Sequence, residues 1–274
     1  MRTLFLAATG AVALLTGTRA DEPAAAKVTP LRRAHAHNDY EHKRPLFDAL
    51  DQGFCSVEAD IHLIDGKLLV AHDRKDAKPE RTLQSLYLDP LRERVKANGG
   101  RVYPGGPIVF LLIDVKTGAE DTYAALDKVL VGYADILSVT RDGKFEPKAV
   151  TAVVSGNRAK ATIAKQAVRY AGIDGRPEDL DSDAPADLIP WISANWLLTF
   201  PWAGDAPMPE AARMKLREYV GKAHKKGRLV RFWATPEKEA VWKELLAADV
   251  DLINTDKLAD LRKFLLANPT NRSK

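Results

Sequence analysis

Residues 34–73, AHAHNDYEHKRPLFDALDQGFCSVEADIHLIDGKLLVAHD, concentrate the chemistry of this chain and hold five of its six histidines. Glu58 and Asp60 alternate inside the apolar run Val57-Glu58-Ala59-Asp60-Ile61. In a strand, residues two apart point to one face. Two carboxylates side by side on a core strand repel each other and lose hydration. A divalent cation relieves both costs, and hard cations prefer oxygen ligands. A solvated hairpin edge is the plainer alternative, which the apolar neighbours oppose. His37 and His72 flank the pair, and imidazole gives and takes protons close to neutrality. A cation with two proton-transfer groups equips a hydrolase or lyase acting on an anionic ester. His35 is placed to face the same mouth, and His42, on a polar loop, to line a pocket. His62 reads as a surface residue and His224 as complementing a helix C-terminus.

The run from Gly53 through Glu58-Ala59-Asp60, then Asp65-Gly66-Lys67 and Ala71-His72-Asp73, resembles the glycerophosphodiester phosphodiesterase signature. That signature joins a glycine, an acid-x-acid strand, a DG hairpin and a closing His-Asp. The family places an HRG motif after its first strand; here His37-Asn38-Asp39 stands there, without the arginine. The variant AHNDYEHKRPL is similar to a bacterial and fungal branch of the phosphatidylinositol-phospholipase-C-like phosphodiesterase superfamily. The resemblance implies a single (β/α)8 barrel with His37 and His72 as general base and general acid. Asn38 would replace the arginine as a neutral and weaker phosphate donor.

Further along, Leu111-Leu112-Ile113-Asp114-Val115-Lys116 resembles the family's LxIExK strand. This implies Asp114 as third metal ligand and Lys116 as phosphate contact; an internal Asp114–Lys116 salt bridge is the alternative. Three carboxylates suit one divalent cation, Mg2+ or Ca2+, better than zinc. Arg231-Phe232-Trp233-Ala234-Thr235-Pro236 resembles the family's seventh strand. If that face is inward, Trp233 walls the pocket and Arg231 meets phosphate; if outward, Trp233 packs beneath a helix. Residues 249–257 resemble the family's GVDGIITDKP ending, and Asp256 reads as a helix cap. Ser155-Gly156-Asn157-Arg158 forms either an anion-binding turn, with Arg158 as a phosphate contact, or a helix N-cap by Ser155 or Asn157.

These residues need strands to aim them. Apolar β-type runs fall at 31–36, 56–62, 108–115, 149–155, 167–171, 188–192, 229–234 and 252–254. Helical patterns alternate with them at 46–52, 119–133, 157–165, 209–225, 236–248 and 257–266. Near-continuous apolar runs such as 108–113 suit parallel strands buried on both faces. Eight strands in such alternation predict a closed barrel, with Asp65-Gly66 turning a hairpin onto 67–71.

The opening Met1-Arg2-Thr3, an apolar run over 4–15 and Thr18-Arg19-Ala20 predict a signal peptide at 1–20, hence a secreted or periplasmic chain. A mobile leader over 21–30 and one barrel domain over 31–270 follow. The single cysteine excludes an internal disulfide. Loss of Arg2 and Arg19 lowers the formal charge from +4, and the remaining basic residues are interspersed with acids, which argues against nucleic acid. No protein partner is inferred. Tyr87, Tyr103 and Trp202 fall on expected loops and leave transient membrane-surface contact open. The reading is a metal-dependent phosphodiesterase on a glycerophosphodiester or phospholipid-type substrate, by hydrolysis or cyclisation. Its rivals are a catalytically silent barrel binding a phosphorylated ligand and a glycosidase.

Overall fold

The apolar runs pair side by side because strands covered on both faces leave no backbone group to water. In the computed structural model, which describes residues 28–269, they close into a barrel. The expected signal peptide and most of the leader lie outside the described residues. Chain order gives β1 (Leu31–Ala36), α1 (Phe47–Asp51), β2 (Phe54–Ile64), β3 (Lys67–Val70), α2 (Asp89–Ala97), β4 (Val109–Val115) and α3 (Ala119–Val131). Next come β5 (Val139–Arg141), β6 (Lys144–Glu146), β7 (Val150–Gly156), α4 (Lys160–Lys165), β8 (Val168–Arg169), β9 (Ala171–Gly175) and β10 (Trp191–Asn195). The chain continues through α5 (Trp196–Thr199), α6 (Glu210–Lys225), β11 (Leu229–Trp233), α7 (Glu239–Ala247), β12 (Leu252–Thr255) and α8 (Leu258–Ala267).

The barrel order is β1-β12-β11-β10-β9-β7-β4-β2, and β2 pairs back onto β1. The eight barrel strands are parallel; β3 hangs antiparallel on β2 through the expected hairpin. A short 3-10 turn, Pro177–Asp179, stands where a helix would follow β9. Among the described residues no helix is long and apolar enough to cross a membrane.

The fifth and sixth strands depart from the sequence reading. Val168–Arg169 belongs to a small antiparallel sheet with β5 and β6, and the barrel strand is Ala171–Gly175. Its Gly172 hides the β pattern, yet a Cβ there would sit 2.7 Å from the Pro190 ring. The sixth ladder begins at Trp191 because Pro190, just before it, has no N–H to donate. Residues 84–97, expected as loop, form a π-turn and α2. Tyr87, on the π-turn, and Tyr103, on the loop after α2, are both buried, which removes them from any lipid-facing surface. The Tyr103 hydroxyl donates to the Phe54 carbonyl at 2.8 Å, while Trp202 donates to the Ala206 carbonyl.

Two separate cores result. Outward strand residues such as Ala34, Val57, Ile61, Leu111 and Ile113 pack under the helices, joined by Val28 from the chain's approach. Inside the barrel, Leu112, Val153, Trp191 and Leu252 pack with Phe110 and Leu229 into an apolar floor. A cavity of about 700 Å3 opens beneath that floor, at the N-terminal strand ends. It is lined by Cys55, Phe110, Leu229 and Leu252 and contains none of the charged groups at the mouth.

Candidate active site

Strand alternation carries the same strands from apolar floor to charged mouth. On β2 the inward positions run Ser56, Glu58, Asp60; on β4 they run Phe110, Leu112, Asp114. Asp60 and Asp114 are direct cross-strand partners, while Glu58 pairs with Leu112 one inward step deeper. The extra methylene of glutamate brings the deeper carboxylate up to the two aspartates. One oxygen from each of Glu58, Asp60 and Asp114 lies within 4.8 Å of the others.

Their environments differ. Glu58 Oε2 accepts from Arg231 Nη2 at 2.5 Å and from His35 Nε2 at 3.1 Å. Burial would raise the Glu58 pKa, but the Arg231 charge and the His35 bond hold it well below the carboxylate range. An ionised Glu58 only accepts, so His35 Nε2 carries the proton and Nδ1 accepts from Ser56 Oγ at 2.7 Å. Burial first, then Arg231, lowers the His35 pKa to about 4, so the ring is neutral. His35 thus faces the interior as expected, as a support for Glu58.

Asp60 is raised to about 6, by burial and then by the charge of Glu58. Asp114 is also raised, by burial, against the pull of Lys116. Lys116 Nζ bridges the two, 2.9 Å from Asp60 and 3.2 Å from Asp114. Burial would lower its pKa, yet the two aspartates raise it and keep it cationic. The expected salt-bridge alternative is thus present in the geometry, and it leaves one oxygen on each aspartate over. Asp60 Oδ1 and Asp114 Oδ1 are buried without a hydrogen-bond partner. An orphaned buried carboxylate oxygen is costly. Two of them, on residues whose carboxylates cluster with that of Glu58, fit a hard divalent cation held by these three residues. Gly156, at φ 65°, keeps that space open: a Cβ there would lie 2.0 Å from Asp114 Oδ1.

His37 stands at the mouth end of β1. Its Nδ1 lies 2.8 Å from Asp256 Oδ1, so Nδ1–H donates to the carboxylate and Nε2 is left as the proton acceptor. Burial lowers the His37 pKa, but the Asp256 bond and the Glu58 charge outweigh it and raise it. Asp256 is therefore no helix cap; the N-cap of α8 is Lys257, without a side-chain cap bond. His72 is exposed on the rim after β3, its ring 3.5 Å from Asp73. Its backbone is fixed: the His62 ring donates to the His72 carbonyl at 3.2 Å, and Ala71 N–H donates to the Asp60 carbonyl. His62 is accordingly buried rather than a surface residue.

Other candidates are redirected. Arg231 is 3% exposed and donates to Glu58 and, at 2.9 Å, to Asn254, so its guanidinium holds a carboxylate instead of meeting phosphate. Trp233, two residues on, shares the inward face and is 40% exposed at the rim. The Asn38 amide meets the Tyr40 hydroxyl at 2.8 Å, which also donates to Asp60 at 2.7 Å. Arg158 turns back to the Asp174 carbonyl. Ser155 and Asn157 cap nothing: Ser155 donates to Asp174, Asn157 to the Thr117 carbonyl, and α4 starts later. The His224 ring lies 2.7 Å from Asp251, so its partner is a side chain of β12's approach. Sequence reasoning missed Tyr40, Asn254 and the Asp256 contact. Only Tyr40 carried a local signal, next to His37-Asn38-Asp39.

A closed parallel barrel with three carboxylates and two histidines at its C-terminal mouth is the architecture of the glycerophosphodiester phosphodiesterase and phospholipase-C-like class. The chain belongs to the AIM6-like phosphodiesterase domain family, whose profile matches residues 23–174. Residues 230–259 match the glycerophosphoryl diester phosphodiesterase family. An Altered inheritance of mitochondria protein 6 homolog of Arthroderma benhamiae is 28% identical over 255 residues, covering 81% of this chain and 80% of its own length. Altered inheritance of mitochondria protein 6 of Eremothecium gossypii is 28% identical, covering 86% and 70%. Crystal structures of glycerophosphodiester phosphodiesterases share the fold. That from Parabacteroides distasonis has TM-score 0.52 at 14% identity, covering 87% of this chain and 98% of its own. That from Agrobacterium tumefaciens has TM-score 0.51 at 15% identity, covering 85% and 99%.

Proposed function

We propose that this chain is a metal-dependent phosphodiesterase using His37 as general base and His72 as general acid. The observation that carries the reading is the pair of orphaned buried oxygens on Asp60 and Asp114 beside Glu58, at the same mouth as His37. Glu58, Asp60 and Asp114 would hold Mg2+ or Ca2+, which when bound offsets negative charge developing on the phosphodiester. The attacking oxygen gives its proton to His37 Nε2 as it bonds to phosphorus. The bond to the departing oxygen breaks, and His72 returns a proton to that alkoxide. Lys116, cationic and reaching the mouth, pairs with a phosphate oxygen, and Asp256 holds the His37 ring in its productive tautomer. The attacker is water or a neighbouring hydroxyl of the substrate, giving an open or a cyclic phosphate.

A glycerophosphodiester or phospholipid-type substrate suits the rim. Leu197 and the 85% exposed Leu198 follow β10, whose Asn195 pairs with Trp233 of β11. Apolar side chains beside a polar mouth favour a lipid diester and transient contact with a membrane surface. The opening signal-like residues support export. The silent-barrel reading rests on Asn38 in place of the family's arginine. A glycosidase is disfavoured because a Glu58–Asp114 pair would leave Asp60, His37 and His72 without roles.

The test is turnover of bis(p-nitrophenyl) phosphate by the chain stripped of metal, then restored with Mg2+ or Ca2+. Activity that returns with metal and is absent in His72→Ala supports the reading. Metal binding without turnover of this or any glycerol or lipid diester would move the assignment to the silent barrel.

A further inference from the structure

Asp256 holds the His37 ring, and among the described residues no second side chain bonds its carboxylate. Its carboxylate is 54% exposed and meets the His37 ring. Its position depends on the backbone of the turn Thr255-Asp256-Lys257. That turn is gripped from outside. Glu237 Oε1, from the loop between β11 and α7, accepts the Asp256 N–H at 2.5 Å, the Lys257 N–H at 3.1 Å and the Thr255 hydroxyl. Its other oxygen lies 3.8 Å from Lys257 Nζ. Glu237 thus supplies, from a different loop, the carboxylate that α8 lacks at its own N-cap, where the helix dipole favours negative charge.

The loop is shaped for this reach. Ala234, at the end of β11, takes φ 53°, a left-handed conformation that is rare for a residue with a Cβ. Thr235 and Pro236 then turn over the end of β12 and deliver Glu237. The gripped turn touches His37 twice: the Thr255 carbonyl accepts the His37 N–H at 3.0 Å, and Asp256 accepts from the ring. Backbone and imidazole of the base are therefore both referred to one turn, and that turn to one glutamate.

The geometry points to Glu237 as a positioning residue for His37, acting through the Thr255–Lys257 turn and Asp256 without touching substrate or metal ligands. The inference rests on His37 being the general base, but its first readout does not need turnover. His37 faces Asp256 and Glu58, which raise its pKa, and Arg231, which with burial lowers it; His35 lies below on the same strand. Loosening the turn weakens the Asp256 contribution to that balance.

The experiment follows the His37 ring by NMR titration in the full chain, in wild type, Glu237→Ala, Glu237→Gln and Asp256→Asn, with thermal melts as the folding control. In Glu237→Ala the His37 pKa should fall towards its value in Asp256→Asn. Glu237→Gln keeps an oxygen acceptor and should stay near wild type. With metal restored and a diester supplied, Glu237→Ala should lower kcat about tenfold at nearly constant KM, part of the roughly 10²–10⁴-fold a positioned base contributes. The acid limb of kcat/KM should shift with the titration. An unchanged His37 titration in folded Glu237→Ala overturns the inference. So does a Glu237→Gln variant as impaired as Glu237→Ala, which would make the charge and not the grip responsible. If no diester is turned over, the phosphodiesterase reading fails while the titration still decides the positioning role.

Discussion

The floor and the mouth of this barrel are built from the same strands, one inward step apart, and they hold together by opposite means. Leu112 and Leu252 at the floor need no partner beyond neighbouring carbons. Glu58, Asp60 and Asp114 at the mouth each need a polar partner: the Arg231 charge and the neutral His35 ring serve the first, the Lys116 charge the other two. Glu58 has two partners on Oε2, whereas each aspartate keeps one buried oxygen without a partner. A floor made only for packing has no such remainder. The two unmatched oxygens of the mouth are the ones the proposed cation would satisfy.

That contrast can be broken or sharpened by substitution. The largest effect is expected from His37→Ala or His72→Ala, which should cut turnover by roughly 10²–10⁴-fold while metal affinity and melting temperature hardly move. Near-normal turnover in either variant would remove the acid–base assignment. Glu58→Ala should violate the simple division, because it strands buried Arg231. We expect a loss of about 3–5 kcal/mol in denaturant unfolding together with lost metal binding by calorimetry. At the floor, Leu112→Ala should cost about 2–5 kcal/mol and leave kcat/KM of the folded fraction near wild type.

Smaller and more discriminating is Asp60→Asn in the metal-free chain. It removes one of three crowded negative charges, so stability near neutral pH should hold or rise while metal binding weakens. A clear destabilisation would mean that the Lys116 bridge outweighs the repulsion. The smallest effect is a shift in pH profile. His37 acts unprotonated and its pKa is raised, so kcat/KM should fall as pH drops through a value above the ordinary 6.5. Asp256→Asn keeps an oxygen acceptor but removes the negative charge that helps raise it, and should move that limb to lower pH; a limb that stays put would detach His37 from the profile.

Much of the frame was legible before the fold. The acid-x-acid spacing of Glu58 and Asp60, the Asp65-Gly66 hairpin and the first four barrel strands are local patterns that burial preserves. The fifth strand was misplaced because Gly172 sits where packing against Pro190 leaves no room for a side chain, and glycine does not read as strand. The helix over 89–97 was passed over because its pattern is weak beside the runs that flank it. Arg231 was aimed at a phosphate because its face was correct and its partner was unknown.

The sequence by itself determined the alternation of strands and helices and which residues share a strand face, since both follow from backbone periodicity over a few residues. It also determined that Glu58, Asp60, Asp114 and His37 would fall at one end, because parallel strands all present their C-terminal ends together. Only the tertiary structure decided which charges neutralise one another. Arg231 meets Glu58 across 173 residues of chain, and His37 meets Asp256 across 219. Such pairs are chosen by barrel closure, which brings the last strand beside the first, and in a buried site electrostatics follows distance in space and not separation along the chain.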